Sequence, residues 1–71
     1  MKAGEFLRRV KRLAERSGVS STFVVGHGKG SHGTLYYGSR LTVVKDRKKE
    51  VSESLLHQMC RQLGIDKRDL C

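Results

Sequence analysis

The first apolar pattern along the chain is typical of a helix. Between Lys2 and Ser17 the apolar positions recur at intervals of three and four, which is the spacing of one helix face. Gly18 follows the last of them, where a glycine commonly ends a helix. We therefore predict a helix over residues 2–17 whose buried face consists of Ala3, Phe6, Val10, Leu13 and Ala14, with Leu7 beside it.

Three short segments then predict β-strands. Residues 22–25, 34–37 and 40–44 are rich in β-branched and aromatic side chains. The Gly38-Ser39 link between the last two suits a tight hairpin turn. Since side chains alternate across a strand, we expect one apolar face formed by Leu35, Tyr37, Leu41 and Val43. The opposite face would carry His32, Thr34, Tyr36, Arg40 and Thr42.

A second helix is predicted after the basic run at residues 45–50. Ser52 is the expected N-cap, and Gly64 ends the pattern. The buried stripe would contain Leu55, Leu56, Met59, Cys60 and Leu63, with Ile65 in contact after the glycine. Asp66 can cap one further helical turn. The order α-β-β-β-α predicts an α+β fold, in which two helices cover one face of a three-stranded antiparallel sheet.

Size and charge restrict the possible functions. Seventy-one residues form one small domain, residues 1–71, whose core is small. The 15 lysines and arginines outnumber the 7 acidic residues, which gives a net charge of +8. Nucleic acid is the leading partner for so basic a domain, because neutralised phosphates release condensed counterions. A membrane surface is less favoured, since no aromatic-rich amphipathic helix is present.

The remaining composition points to the cytoplasm. No apolar run is long enough to span a bilayer, and the first residues lack the apolar stretch of a signal peptide. The two cysteines, Cys60 and Cys71, do not have the spacing of a disulfide scaffold or a metal site. A reducing compartment fits this cysteine usage.

One glycine-rich segment, residues 28–33, carries the candidate chemistry. It brings His32 to the start of a predicted strand, next to Lys29, Gly30 and Ser31. Glycines let a backbone approach a ligand closely, turn amides can bind anions, and histidine exchanges protons near neutral pH. The glycine spacing matches a dinucleotide-binding fingerprint, but a strand follows where that motif requires a helix. His57 is expected on a helix surface, and His27 has no evident role.

Several of these features together resemble the HicA family of bacterial toxins over nearly the whole chain. They are the order of elements, Gly30-Ser31-His32 opening the second strand, the basic run and the ending Arg61-Gln62-Leu63-Gly64-Ile65. The resemblance implies a fold like that of double-stranded-RNA-binding domains, an endoribonuclease that cuts messenger RNA, and a HicB-type antitoxin. The family's catalytic histidine falls on His32. Many relatives place a second histidine and a phenylalanine in the segment that here reads Gly33-Thr34-Leu35-Tyr36-Tyr37.

The expected reaction is general acid–base catalysis by His32 on a ribose 2′-OH. The scattered carboxylates offer no pair of the kind that a two-metal nuclease uses, so we expect no metal and no cofactor. The residues expected to bind RNA are Lys29, Gly30, Ser31, Lys45, Arg47, Lys48 and Lys49. The alternative function is a non-catalytic module of the same fold that reads the shape of double-stranded RNA.

Overall fold

The predicted order of elements is confirmed. The structure, a computed structural model, describes residues 1–26 and 32–70. Along the chain the elements are α1 (Ala3–Ser17), β1 (Ser21–Val25), β2 (Gly33–Tyr37), β3 (Arg40–Val44), α2 (Glu53–Leu63) and a 3₁₀ turn (Lys67–Leu70). The three strands form one antiparallel sheet in the order β1-β2-β3. The fold is therefore α+β, with the α-β-β-β-α arrangement.

The helices begin and end as the sequence predicts. The Ser52 hydroxyl accepts a hydrogen bond of 3.2 Å from the Leu55 amide, and so caps the first turn of α2. Gly18 and Gly64 end the two helices in the left-handed conformation, with φ of 68° and 72°. One helix prediction is wrong: Leu55 is 44% exposed, and the buried stripe of α2 consists of Leu56, Met59, Cys60 and Leu63.

The core lies between the two helices and one face of the sheet. The predicted apolar face of α1 is buried, with Phe6 and Val10 fully inaccessible. These side chains form one cluster with the buried residues of α2, with Leu35 of β2 and with Val44 of β3. Neither helix covers the opposite face of the sheet.

The predicted faces of β3 are reversed. The hairpin register pairs Tyr37 with Arg40 and Tyr36 with Leu41. Cross-strand partners lie on the same face of a sheet. A two-residue turn therefore pairs odd-numbered residues of β2 with even-numbered residues of β3. The odd-numbered residues of the two strands consequently lie on opposite faces of the sheet. Leu41 and Val43 thus lie with Tyr36 on the uncovered face, where they are 49% and 55% exposed.

Thr42 and Arg40 lie on the covered face instead. Thr42 pairs with Leu35 and is 2% exposed. Its hydroxyl donates a hydrogen bond to the side-chain oxygen of Gln62 in α2. Because the buried hydroxyl has no access to water, this bond supplies the partner that it needs. A threonine is tolerated in this core because the neighbouring helix supplies its partner.

Candidate nucleic-acid interface

His32 lies at one end of the sheet, just before β2, and it is exposed. The Gly26 amide donates a hydrogen bond of 2.8 Å to the His32 carbonyl. This bond continues the β1–β2 register by one position, because the last strand pair is Val25 with Gly33. Alternation along β2 therefore puts His32 on the same face as Thr34 and Tyr36, as expected from the sequence.

A close contact at Gly33 holds the start of β2, and with it the backbone of His32. A Cβ atom on Gly33 would lie 2.4 Å from Cζ of Phe23 and 2.8 Å from the Val24 carbonyl oxygen. The Phe23 ring can pack here because the glycine has no side chain. On the ring lies the guanidinium of Arg47, 5.6 Å from the centroid, which is a cation–π distance. Arg47 therefore lies at this end of the sheet on the covered face, with Phe23, whereas His32 lies on the opposite face.

The basic segment, residues 45–49, is held by backbone hydrogen bonds. The first amides of a helix have no partner within the helix. In α1 the Ala3 and Gly4 amides donate to the carbonyls of Lys49 and Arg47, at 3.0 and 2.9 Å. The Asp46 carboxylate accepts from the Lys48 amide at 2.9 Å. These bonds fix the backbone of the segment, whereas the side chains of its lysines and arginine are exposed.

Two of the predicted RNA-binding residues occupy defined positions at the end of the sheet that carries His32. Lys45 follows Val44, which pairs with Gly33, so the next register position opposite His32 belongs to Lys45. Arg47 reaches the same strand end through the Phe23 ring. Lys48 and Lys49 lie farther along the basic segment and are exposed. Lys29, Gly30, Ser31 and His27 lie outside the described residues.

An arginine-rich groove on α1 was not among the predicted site residues. It has a volume of about 730 Å³ and runs between α1 and the 3₁₀ turn. Arg9 and Arg16 donate to the carbonyls of Leu70 and Asp69, at 2.9 and 3.1 Å, and so attach that turn to the helix. The groove is lined by Arg8, Arg9, Arg12 and Arg16, together with Glu5, Glu15 and Leu70.

The groove is continuous with the basic segment. Arg8 also borders a second depression of about 660 Å³, which Lys2 and Arg47 line as well. Cationic side chains therefore extend from α1 to the segment that follows β3. The signal in the sequence was the excess of five lysines and arginines over two glutamates within α1. Sequence alone did not indicate that they border a groove, because the 3₁₀ turn reaches α1 from the other end of the chain.

The uncovered sheet face is apolar. We call it the open face, and it consists of Thr22, Val24, Thr34, Tyr36, Leu41 and Val43. Val24 and Tyr36 are 49% and 41% exposed, and Leu41 and Val43 are exposed to a similar degree. Adjacent exposed apolar side chains of this kind are typical of surfaces that bind a partner.

No family model, curated protein or solved structure matches this chain. The exposed chemistry of the described residues is therefore the basis for any function. That chemistry is an exposed histidine at one end of a largely apolar sheet face, with Lys45 at the next register position, and cationic side chains along α1 and the segment after β3.

The other titratable groups do not form a second centre in the described part of the chain. Among residues 1–26 and 32–70, no three histidine, cysteine or acidic side chains are grouped to hold a metal ion. His57 is exposed on α2. Burial raises the pKa of the Cys60 thiol, with a smaller contribution from Asp66, which keeps this thiol in its unreactive form. None of the helices described is both long and apolar enough to cross a membrane.

Proposed function

We propose that this chain is a ribonuclease toxin of the HicA type, in which His32 is the general acid–base on an RNA substrate. The observation that carries the proposal is the position of His32, exposed at the end of the open face and opposite the register position of Lys45. A buried histidine could not reach a phosphodiester. Arg47, held on the Phe23 ring, adds a cation at the same end of the sheet, on the face opposite His32.

The proposed reaction is an internal transesterification. Neutral His32 removes the proton of a ribose 2′-OH, and the resulting oxyanion attacks the adjacent phosphorus. The bond from phosphorus to the 5′-oxygen breaks, and that oxygen takes up a proton. The products are a 2′,3′-cyclic phosphate and a 5′-hydroxyl. Lys45 supplies positive charge where negative charge develops on the phosphorane, and we propose the same role for Lys29.

The direct test compares two histidine variants. His32→Ala is expected to lower the cleavage rate by about 10²–10⁴-fold, the usual contribution of general acid–base catalysis, and to abolish growth toxicity. Because His32 is exposed, the stability of this variant should differ from that of the parent by less than about 0.5 kcal/mol. His57→Ala, which also removes an exposed histidine, should cleave like the parent chain. Full activity in His32→Ala would exclude this role.

The substrate tests the chemistry independently. Replacing the ribose at the cut site by deoxyribose removes the nucleophile, and cleavage should stop. The reaction should continue in a chelator, and the products should carry the cyclic phosphate. Undiminished cutting of the deoxy-substituted strand, or complete loss of activity in the chelator, would contradict the mechanism.

The basic segment should bind phosphates without reading sequence. Charge reversal at Lys48 and Lys49 is expected to weaken binding to all RNA sequences alike. The slope of log K against log salt concentration should become shallower by about 1 for each of these lysines that neutralises a phosphate. An unchanged salt slope in the double variant would show that neither lysine binds RNA.

We also propose a HicB-type antitoxin, acidic or neutral, that covers His32 together with the open face. Association with a chain of net charge +8 should be fast and sensitive to salt. It should also raise the melting temperature, because such a partner binds the folded form alone. Hydrogen exchange should show protection over residues 32–37. Protection restricted to the helices would point to a different mode of inhibition.

The arginine-rich groove supports a second candidate function. A module that reads the shape of double-stranded RNA would use cations on a helix and a loop, and Arg8 and Arg12 lie in such a groove. In that case duplex RNA binds more tightly than the same sequence unpaired. Arg8→Ala and Arg12→Ala would weaken duplex binding, and no RNA would be cleaved.

A further inference from the structure

Among the described residues, one aromatic side chain lies on the open face. The chain has two tyrosines, two phenylalanines and no tryptophan. Phe6 is buried in α1, whereas Phe23 and Tyr37 pack against the core from the covered face. Tyr36 is 41% exposed and lies in the central strand, between Thr22 of β1 and Leu41 of β3.

We propose that Tyr36 stacks against an unpaired base of the RNA and thereby makes this chain select single-stranded substrate. The inference rests on the proposed function, since it concerns the same RNA and the same face. An aromatic ring in the middle strand of an uncovered sheet is a platform for splayed bases. In a duplex the base faces are covered by their neighbours, so a paired strand cannot use such a platform.

The distance from His32 sets which nucleotide is held. Tyr36 lies four positions after His32 on the same face of the sheet, which is about 13 Å at the usual rise of a strand. A strand stacked at about 3.4 Å per nucleotide covers that length in roughly four nucleotides, and a splayed strand covers it in fewer. The stacked base is therefore near the scissile phosphate but does not flank it.

Charge favours RNA over an apolar protein segment as the occupant in the free chain. The end of the open face nearest His32 adjoins the register position of Lys45, and the other lysines of the basic segment follow in sequence. A strand whose phosphates lie along these cations can direct its bases onto the apolar surface around Tyr36 and Val43. The RNA phosphates then contact lysine side chains, and the bases contact apolar side chains.

The experiment measures binding without cleavage. In a His32→Ala background, a short labelled single-stranded RNA is titrated against variants of Tyr36, and the same sequence is titrated as a duplex. Tyr36→Phe keeps the ring and should bind like the parent. Tyr36→Leu keeps the apolar character but lacks the ring, and its affinity for the single strand should fall by about 5- to 150-fold. Duplex affinity should be unchanged in both variants.

A second measurement varies the RNA instead of the protein. A single abasic site is placed at each position of the RNA strand in turn. At one position it should lower the RNA affinity of the chain that retains Tyr36 but not that of Tyr36→Leu. The inference would be overturned if Tyr36→Phe and Tyr36→Leu bound RNA with equal affinity and no abasic position had an effect that depended on Tyr36. The open face would then be assigned to a protein partner. The role of His32 would stand, because cleavage is measured separately in the parent chain. Absence of both binding and cleavage in the parent would instead refute the proposed function.

Discussion

Substitution of Gly33 by alanine tests how the strand that carries His32 is held. The added Cβ would lie 2.4 Å from Cζ of Phe23, 2.7 Å from Cε1 and 2.8 Å from the Val24 carbonyl oxygen. The first two atoms belong to a ring that can shift, but the third belongs to the backbone of the neighbouring strand. The variant must therefore move both Phe23 and the β1–β2 pairing to fit one methyl group.

Two opposing effects determine the size of the change. Overpacking a well-filled site costs about 1–3 kcal/mol, whereas alanine is about 0.5–1 kcal/mol better than glycine inside a strand. Because a backbone oxygen must move, the overpacking cost lies in the upper part of that range, about 2–3 kcal/mol, and the net expected destabilisation is about 1–2.5 kcal/mol. For a domain of this size, each kcal/mol corresponds to a shift of about 4–8 °C in Tm, so the melting temperature should fall by about 4–20 °C.

The assay is thermal and urea unfolding of the parent and its variants. Gly26→Ala is the comparison variant: its Cβ would lie 3.3 Å from the His32 carbonyl oxygen, a less severe contact than those at Gly33, so its cost should be smaller than that of Gly33→Ala. Phe23→Leu removes the ring, so Gly33→Ala should cost less in that background, with a coupling energy of at least about 0.5 kcal/mol. A Gly33→Ala chain as stable as the parent, or a cost that Phe23→Leu does not change, would refute the reasoning.

Three further predictions concern α2 and its surroundings. Ser52→Ala should lower stability by about 1 kcal/mol through removal of the N-cap bond, whereas Ser54→Ala, two residues later and exposed, should have little effect in the same urea titration. The hydrogen bond and charge of Lys67 lower the pKa of the Glu53 carboxyl, so this pair stabilises the fold above the ordinary glutamate pKa and ceases to do so as pH falls through the lowered value. Lys67→Met should therefore flatten the dependence of Tm on pH below about 4.3, and an unchanged profile would contradict the assignment. Because burial raises the pKa of the Cys60 thiol, a variant without the other cysteine should react with an alkylating reagent far more slowly when folded than in denaturant, as followed by mass spectrometry.

Local patterns in the sequence determined the elements of this protein. The apolar spacing of α1, the glycines after both helices, the Ser52 cap and the Gly38-Ser39 turn each depend on residues within a few positions of one another. Such interactions are encoded by the segment itself. The sequence also predicted that one sheet face would be uncovered, because two helices can cover only one face, and that His32 would be exposed on it.

The tertiary structure decided which side chains occupy that face and what surrounds the histidine. Thr42 is buried and Leu41 exposed because the register of the hairpin, and not the residue type, determines the facing of β3. The packing of Phe23 on Gly33 depends on segments that are distant in sequence, as does the attachment of the basic segment to the start of α1. Contacts of this kind form when separate elements meet in the folded chain, and a pattern read along one segment does not contain them.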